Sequence, residues 1–256
     1  MRILFTICGR SGSKGLKNKN LKDFLGVPLV YYTLAAIIEY TESLSASDVV
    51  DIALNTDSER LIELVCAQKQ LPVFVIRRTE ELSGDAVPKV AVIKDCLLQS
   101  EAYYKQSFDV VVDLDITSPL RTANDIKSAV DMKRIRIDAD AIYSVTPSRR
   151  NPYFNMVKEQ DGFSGVAIAS SYTARQQAPA IYDMNASIYA YSPDILKNKS
   201  SVGFFNSNCY FIVMKDTAVL DIDSEEDFEM LQVLAEYFFA NNTDFCSVNE
   251  IAHTMT

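Results

Sequence analysis

The amino-acid sequence predicts an α/β fold: a mostly parallel sheet flanked by helices on both faces, with a small β-rich arm inserted. Three observations carry that expectation. Short β-rich runs alternate with stretches of helical periodicity through the first half. Polar loops rich in Gly, Asp and Arg follow the predicted strand ends, where open α/β sheets bind ligands. Across 139–191 the alternation stops, and a polar stretch with Pro147, Pro152, Gly162, Gly165 and Pro179 shows no helical period. A chain of 256 residues can bury one large core, so a single domain over 1–256 is expected, with 139–191 as the inserted arm.

Each element rests on its own pattern. Residues 2–8 form an apolar run too short for the core of a signal peptide, so they read as a first strand. Over 28–40, Leu29, Tyr32, Thr33, Ala36 and Ile37 recur at helical spacing. A second strand over 49–54 ends in Asn55-Thr56-Asp57, and Asp57 or Ser58 can cap a helix carrying Leu61, Ile62, Leu64 and Val65. A third strand is expected over 72–76 and a third helix over 87–103. Val110-Val111-Val112 marks a strand over 109–114. Later strands are expected over 141–145, 186–191, 210–214 and 218–222. The last helix, 225–239, takes Ser224 as N-cap and Asp227 in the acidic position of a capping box.

Composition narrows the function. A net charge of -9 disfavours nonspecific attraction to nucleic acid or to an anionic membrane surface. No window approaches the ~18 unbroken apolar residues of a transmembrane helix, so a cytoplasmic protein is expected. Five scattered cysteines without C-x-x-C spacing read as buried or incidental thiols rather than a disulfide framework or a zinc site. The single histidine, His253, lies next to the C-terminal residues, so chemistry falls to carboxylates, cations, hydroxyls and metal.

The first strand exits into Gly9-Arg10-Ser11-Gly12-Ser13-Lys14-Gly15, followed by Lys17, Lys19 and Asn20. Its glycines let backbone N–H groups turn toward phosphate oxygens, and Arg10, Lys14 and Lys19 add charge. The spacing is neither G-x-x-x-x-G-K-[ST] nor G-x-G-x-x-G. A phosphate cradle and a solvated basic turn both fit. Asp221-Ile222-Asp223 closes the predicted last strand, where a period of two places both carboxylates on one face. Such a pair suits Mg²⁺, which takes one or two carboxylates plus phosphate oxygens, although Asp223 also fits as a plain cap-region acid. Asp113-Leu114-Asp115 repeats that geometry and competes for the same role. The doublets Arg77-Arg78 and Arg149-Arg150, and Arg175 inside the arm, suit an anionic substrate or a solvated surface. Tyr182, Tyr189 and Tyr191 read as core or interface aromatics.

Taken in order, these segments resemble the CMP-sialic acid synthetase family. The matching pieces are GRSGSKGLKNKN at 9–20, Asn55-Thr56-Asp57, Glu81-Leu82-Ser83-Gly84-Asp85, TSPLR at 117–121, Arg175-Gln176-Gln177-Ala178-Pro179, NASIY at 185–189 and Asp221-Ile222-Asp223. Within the family, DLDITSPLR at 113–121, RRNPYFN at 149–155 and YDMNASIY at 182–189 look most like CMP-legionaminic acid synthetases. The resemblance implies a Rossmann-like sheet with an arm that exchanges contacts in a homodimer. It implies that Arg10, Ser13, Lys14, Lys19 and Asn20 hold the CTP phosphates and neighbouring groups, with Arg78 and Asp85 near the nucleoside. Asp221 and Asp223 would bind Mg²⁺ (or Mn²⁺). Asp115, Arg175, Gln176 and Asn185 would face the sugar acid. Sialic-acid enzymes typically carry Gln-Pro before TSPLR, whereas this chain has Asp115-Ile116, which points away from N-acetylneuraminic acid and toward legionaminic acid.

The reaction so implied is attack of the sugar's anomeric hydroxyl on the α-phosphate of CTP, with loss of pyrophosphate. Arg10 and Lys19 would meet the leaving charge, and Asp223 or a hydroxide on the metal would take the proton. Three alternatives stand beside it, the nearest being a CMP-N-acetylneuraminic acid synthetase. A glycosyltransferase would use Asp113-Leu114-Asp115 as its D-x-D motif, and a nucleotide-binding scaffold would have kept the fold and lost the chemistry.

Overall fold

A computed structural model describes residues 1–12, 15–84, 86–198 and 207–256. In chain order the structure runs β1 (Arg2–Cys8), the two-residue pair β2 (Asp23–Phe24) and β3 (Val27–Pro28), α1 (Leu29–Glu42), β4 (Val49–Thr56), α2 (Glu59–Ala67) and β5 (Phe74–Arg77). It continues with α3 (Glu80–Ser83), α4 (Lys89–Tyr104), β6 (Val110–Leu114), α5 (Ala123–Ile135), β7 (Ala141–Pro147), β8 (Val157–Gln160) and β9 (Phe163–Val166). Last come β10 (Tyr182–Tyr191), α6 (Pro193–Asn198), β11 (Cys209–Val213), α7 (Glu225–Asn241) and α8 (Thr243–His253).

The main sheet has the order β11-β7-β10-β6-β1-β4-β5. All neighbours run parallel except β10, which is antiparallel to both β6 and β7. Alternation along β1 divides the core. Ile3, Phe5 and Ile7 pack with α1, α5, α7 and α8, whereas Leu4 packs with α4 and α6 on the opposite face. The Ser224 side chain caps α7 in a full capping box with Asp227, and Ser58 caps α2. Among the described residues no helix is long and apolar enough to cross a membrane.

Three features differ from the expectation. Residues 218–222 do not form a strand: Asp216–Val219 is a 3-10 turn, and the chain then runs irregularly into α7. The face alternation nevertheless survives, because Ile222 is buried and donates its N–H to the Thr117 carbonyl (3.1 Å) while Asp223 stays outside. The 139–191 segment also divides. Its ends, β7 and β10, are strands of the main sheet, and the part beyond the sheet is 148–181, carrying the β8–β9 hairpin with every residue exposed. Finally, α5, α6 and α8 are helices beyond those expected, although Ile126, Ala129 and Val130 in α5 and Phe245, Val248 and Ala252 in α8 recur at helical spacing.

One strained position shapes the site. Strand β10 shifts register between Met184 and Tyr189, and Ala186 there has φ +53°. A left-handed alanine costs about 1–2 kcal/mol. The bulge turns the Ser187 carbonyl toward the end of β6, where it accepts from the Asp115 N–H (3.2 Å) and from Arg121 Nη1 (2.9 Å).

Candidate active site

The carboxyl ends of β1, β5 and β6 open into one cavity of about 340 Å³. Arg10, Lys19 and Asn20 line it from the loop after β1, and Arg78 from the segment after β5. Lys89, Asp115 and Thr117 form its floor, and Asp221 and Asp223 its rim.

The loop is held from several sides. Gly12 sits at φ +71°, a backbone conformation that favours glycine. Ser11 donates to Asp57 from both N–H (2.6 Å) and Oγ (2.7 Å). Burial opposes the charge of Asp57, but those bonds outweigh it and hold the carboxyl below its ordinary range. Asn20 Nδ2 donates to the Arg10 carbonyl (3.2 Å). A Cβ at Gly15 would lie 2.2 Å from the Asp223 carbonyl oxygen, so only glycine lets the loop approach the rim this closely. Arg78 is aimed by Asn55, whose side-chain oxygen accepts from Nε (2.8 Å) and whose carbonyl accepts from Nη2 (2.9 Å).

At the floor, Lys89 Nζ donates to Asp115 Oδ2 (2.7 Å) and forms an ion pair with Asp113 Oδ2 (2.8 Å). Asp113 is fully buried, and its other oxygen accepts from Thr6 Oγ1 (2.8 Å). Asp115 Oδ1 accepts from the Thr117 N–H (3.0 Å) and Oγ1 (2.8 Å). Burial works against both charges, yet the opposite partners win. Lys89 titrates well above its ordinary value, held by Asp113 and Asp115, and Asp115 well below its own, held by Lys89 and Thr117. Beneath them Arg121 is 1% exposed and braces the Asp115 and Ser187 carbonyls and Thr33 Oγ1. Burial pulls its guanidinium down to about 10, against Asp115, Asp125 and Asp113. The D-x-D reading of Asp113 and Asp115 fails on this geometry: the cation between them is the ammonium of Lys89.

The rim is different. Lys19 Nζ donates to Asp223 Oδ1 (2.9 Å) and to the Ile222 carbonyl (3.0 Å), tying the loop to the rim. Burial, then the charges of Asp223 and Asp115, push the Asp221 carboxyl above its ordinary value. Among the described residues no group of three or more His, Cys, Asp or Glu side chains forms a metal cluster. Two hard carboxylates crowded at a cavity mouth do fit a cation that completes its shell with substrate oxygens and water.

The structure brings together Arg10, Lys19, Asn20, Arg78, Asp115, Asp221 and Asp223. Ser13, Lys14 and Asp85 lie outside the described residues. The sugar-facing expectation does not hold within one chain for three residues. Asn185 is buried; its Oδ1 accepts from Ser144 Oγ (2.5 Å) and its Nδ2 points at Met214 Sδ (3.3 Å), so it supports the β10 bulge. Arg175 and Gln176 are exposed on the arm, and Arg175 lines a separate hollow with Arg150, Asn151 and Tyr182. Sequence reasoning missed Lys89 and the part of Asp57 as a loop clamp. Lys89 carries a signal of its own: a cation opening a helix stands at the positive end of the dipole, which calls for a specific partner.

A glycine-bearing cationic loop facing a carboxylate pair at the strand ends of a Rossmann-like sheet defines an enzyme of nucleotide chemistry. Residues 4–237 match the family described as Cytidylyltransferase; the chain belongs to that family and is a CTP-dependent nucleotidyltransferase. Among its relatives, the "CMP-N,N'-diacetyllegionaminic acid synthase" of Campylobacter jejuni is 37% identical over 243 residues, covering 95% of this chain and 99% of that protein. The "Post-translational flagellin modification protein B" of Campylobacter coli is 37% identical over 232 residues, covering 91% and 94%. The solved CMP:2-keto-3-deoxy-manno-octonic acid synthetase complexed with CTP aligns over 93% of this chain and 99% of its own, with TM-score 0.63 and 15% identity. That last likeness speaks for the fold.

Proposed function

We propose that this chain transfers CMP from CTP to the anomeric hydroxyl of a nonulosonic acid, with legionaminic acid or a close relative preferred. The observation that carries the reading is the meeting of Arg10, Lys19 and Asn20 with the 221/223 carboxylates across one cavity, joined by Lys19. Support for the acceptor comes from the diacetyllegionaminic acid synthase at 37% identity over nearly the whole of both chains. Asp115-Ile116 in place of Gln-Pro favours the same acceptor.

In this reading the loop N–H groups, Arg10 and Lys19 hold the triphosphate, and Arg78 lies at the nucleoside. The anomeric oxygen forms a bond to the α-phosphorus in line as the bond to the bridging oxygen of the β-phosphate breaks. Charge growing on the pyrophosphate is met by Arg10 and Lys19. In this reading the hydroxyl proton passes to a rim carboxylate, and Asp223 is the one assigned to it. Asp221 and Asp223 would hold Mg²⁺ (or Mn²⁺), which supplies Lewis-acid polarisation of phosphate oxygens when bound.

The same reading makes the enzyme a cytosolic homodimer built through the arm. Val157 and Phe163 on its hairpin are 72% and 80% exposed, and a lone two-stranded hairpin has too little core to hold them. Arg175 and Gln176, unused at their own cavity, are then available to the sugar acid of the neighbouring copy. Competition between legionaminic and N-acetylneuraminic acid, read as pyrophosphate release, tests the acceptor. The expected preference is roughly 5- to 150-fold, the scale of one unpaired buried polar group. Equal kcat/KM for the two would contradict it.

A further inference from the structure

We propose that Lys89 is a sugar-recognition residue: its ammonium donates to a neutral acceptor oxygen of the sugar acid, a hydroxyl or an acyl carbonyl. The inference rests on the nonulosonic acid as acceptor. It gives to Lys89 the contact that the sequence assigns to Asp115.

Placement comes first. Lys89 opens α4, where a cation costs about 0.3–1 kcal/mol against the helix dipole. Two carboxylates from the end of β6 offset that cost and fix the side chain, so its position is set by Asp113 and Asp115 rather than by its helix.

Donor count comes next. An ammonium has three N–H groups. One goes to Asp115 Oδ2, a second side faces Asp113 Oδ2, and the third has no partner among the described residues. The side chain is 35% exposed and lines the cavity, whereas Asp113 beneath it is sealed. The remaining N–H therefore belongs to whatever fills the floor of the cavity.

Charge selects the ligand atom. Lys89 and Arg121 balance Asp113 and Asp115, so the floor is neutral as a group and leaves no excess positive charge for an anion. A phosphate or a carboxylate on Lys89 would also crowd against Asp115, and like charges at that range repel. The triphosphate has Arg10 and Lys19 at the loop instead. A neutral oxygen meets no such repulsion. Asp115 is then a positioning residue: Oδ1 already accepts twice from Thr117, and Oδ2 is given to Lys89.

The test uses the full-length protein and two ligand measurements. CTP affinity is measured by calorimetry without sugar, and the sugar-acid KM by pyrophosphate release at saturating CTP. Lys89→Met should raise the sugar-acid KM about 10- to 100-fold, the scale of a hydrogen bond to a charged group, and leave the CTP Kd within about twofold. Lys89→Arg keeps a cation for Asp113 and Asp115, which guards against misfolding, and should show the same split in smaller measure. A series of deoxy and de-acylated sugar acids locates the contact: for the analogue lacking the acceptor, the penalty of either variant should collapse. A CTP Kd that rises in step with the sugar-acid KM, or a penalty equal across the whole series, would overturn the assignment. Native enzyme that releases no pyrophosphate with any nonulosonic acid would sink the substrate reading itself. Native turnover with an unmoved KM in the variants would sink Lys89 alone.

Discussion

At the cavity floor, charged side chains are buried, while on the arm apolar side chains stand in water. Asp113 and Arg121 are 0% and 1% exposed, and Phe163 is 80% exposed. Each arrangement is costly, but only the first is compensated within the chain. Lys89, Thr6 and Thr117 satisfy the two aspartates, and backbone carbonyls satisfy the Nη1 end of Arg121. Nothing among the described residues of the chain covers the outer faces of Val157 and Phe163. The charges of the floor are thus paired within one copy, and the arm is the part that the proposed dimer would cover.

The largest expected effects fall on the rim. Asp223→Asn should remove Mg²⁺-dependent turnover while leaving the fold intact, whereas Asp113→Asn should cost about 1–3 kcal/mol of stability through the polar group left unpaired. If metal titrations showed Asp113→Asn to be the more damaging change, the division of labour between rim and floor would be reversed. Arg10→Ala should lower kcat/KM for CTP by about 10²–10³-fold, the scale for losing one donor to transition-state charge. Near-normal turnover in a folded variant would take the loop out of the mechanism.

The arm should respond in a different measurement. Replacing both Val157 and Phe163 by Ser should weaken self-association by about 3–6 kcal/mol, the burial energy of two large apolar side chains. Sedimentation should then show monomer at micromolar concentration, with CTP affinity unchanged. Native protein that already sediments as a monomer would break the comparison on the arm's side.

The smallest effect sharpens the floor. Asp115 is held below its ordinary value, so its contribution to stability is full above the unfolded value near ~3.9 and is lost as pH falls through its lower folded value. Lys89 is held above its own, so its contribution is full below ~10.4 and is lost as pH rises through its higher folded value. The stability difference between native enzyme and Asp115→Asn should therefore be flat from about pH 5 to pH 9 in chemical denaturation. A slope inside that window would mean that the pair is not held as described.

Local signals made part of this molecule legible in its sequence. Strand β1 matches its apolar run residue for residue, and Ser224 with Asp227 announces the start of α7. Two of the cavity cations, Arg10 and Lys19, follow from glycine, arginine and lysine placed after a first strand. Other elements depend on tertiary partners. Ala218, Leu220 and Ile222 alternate like a strand, but β11 already pairs with β7 at that side of the sheet, and the chain folds into a 3-10 turn instead. Thr122 and Asp125 form a capping box that could have located α5. Asn185 sits in a motif that resembles a site, yet a register shift in β10 turns it inward. No period or spacing records a contact such as Lys89 with Asp113, which joins a helix start to a strand end.

The central claim concerns which bond of CTP is broken, and ³¹P nuclear magnetic resonance of the purified enzyme with CTP, Mg²⁺ and legionaminic acid reads that directly. The account predicts that the three CTP resonances fall together while one pyrophosphate and one phosphodiester signal rise with integrated areas of two to one, because pyrophosphate carries two equivalent phosphorus atoms. Release of CDP and orthophosphate, or CTP left unchanged with every nonulosonic acid offered, would contradict it.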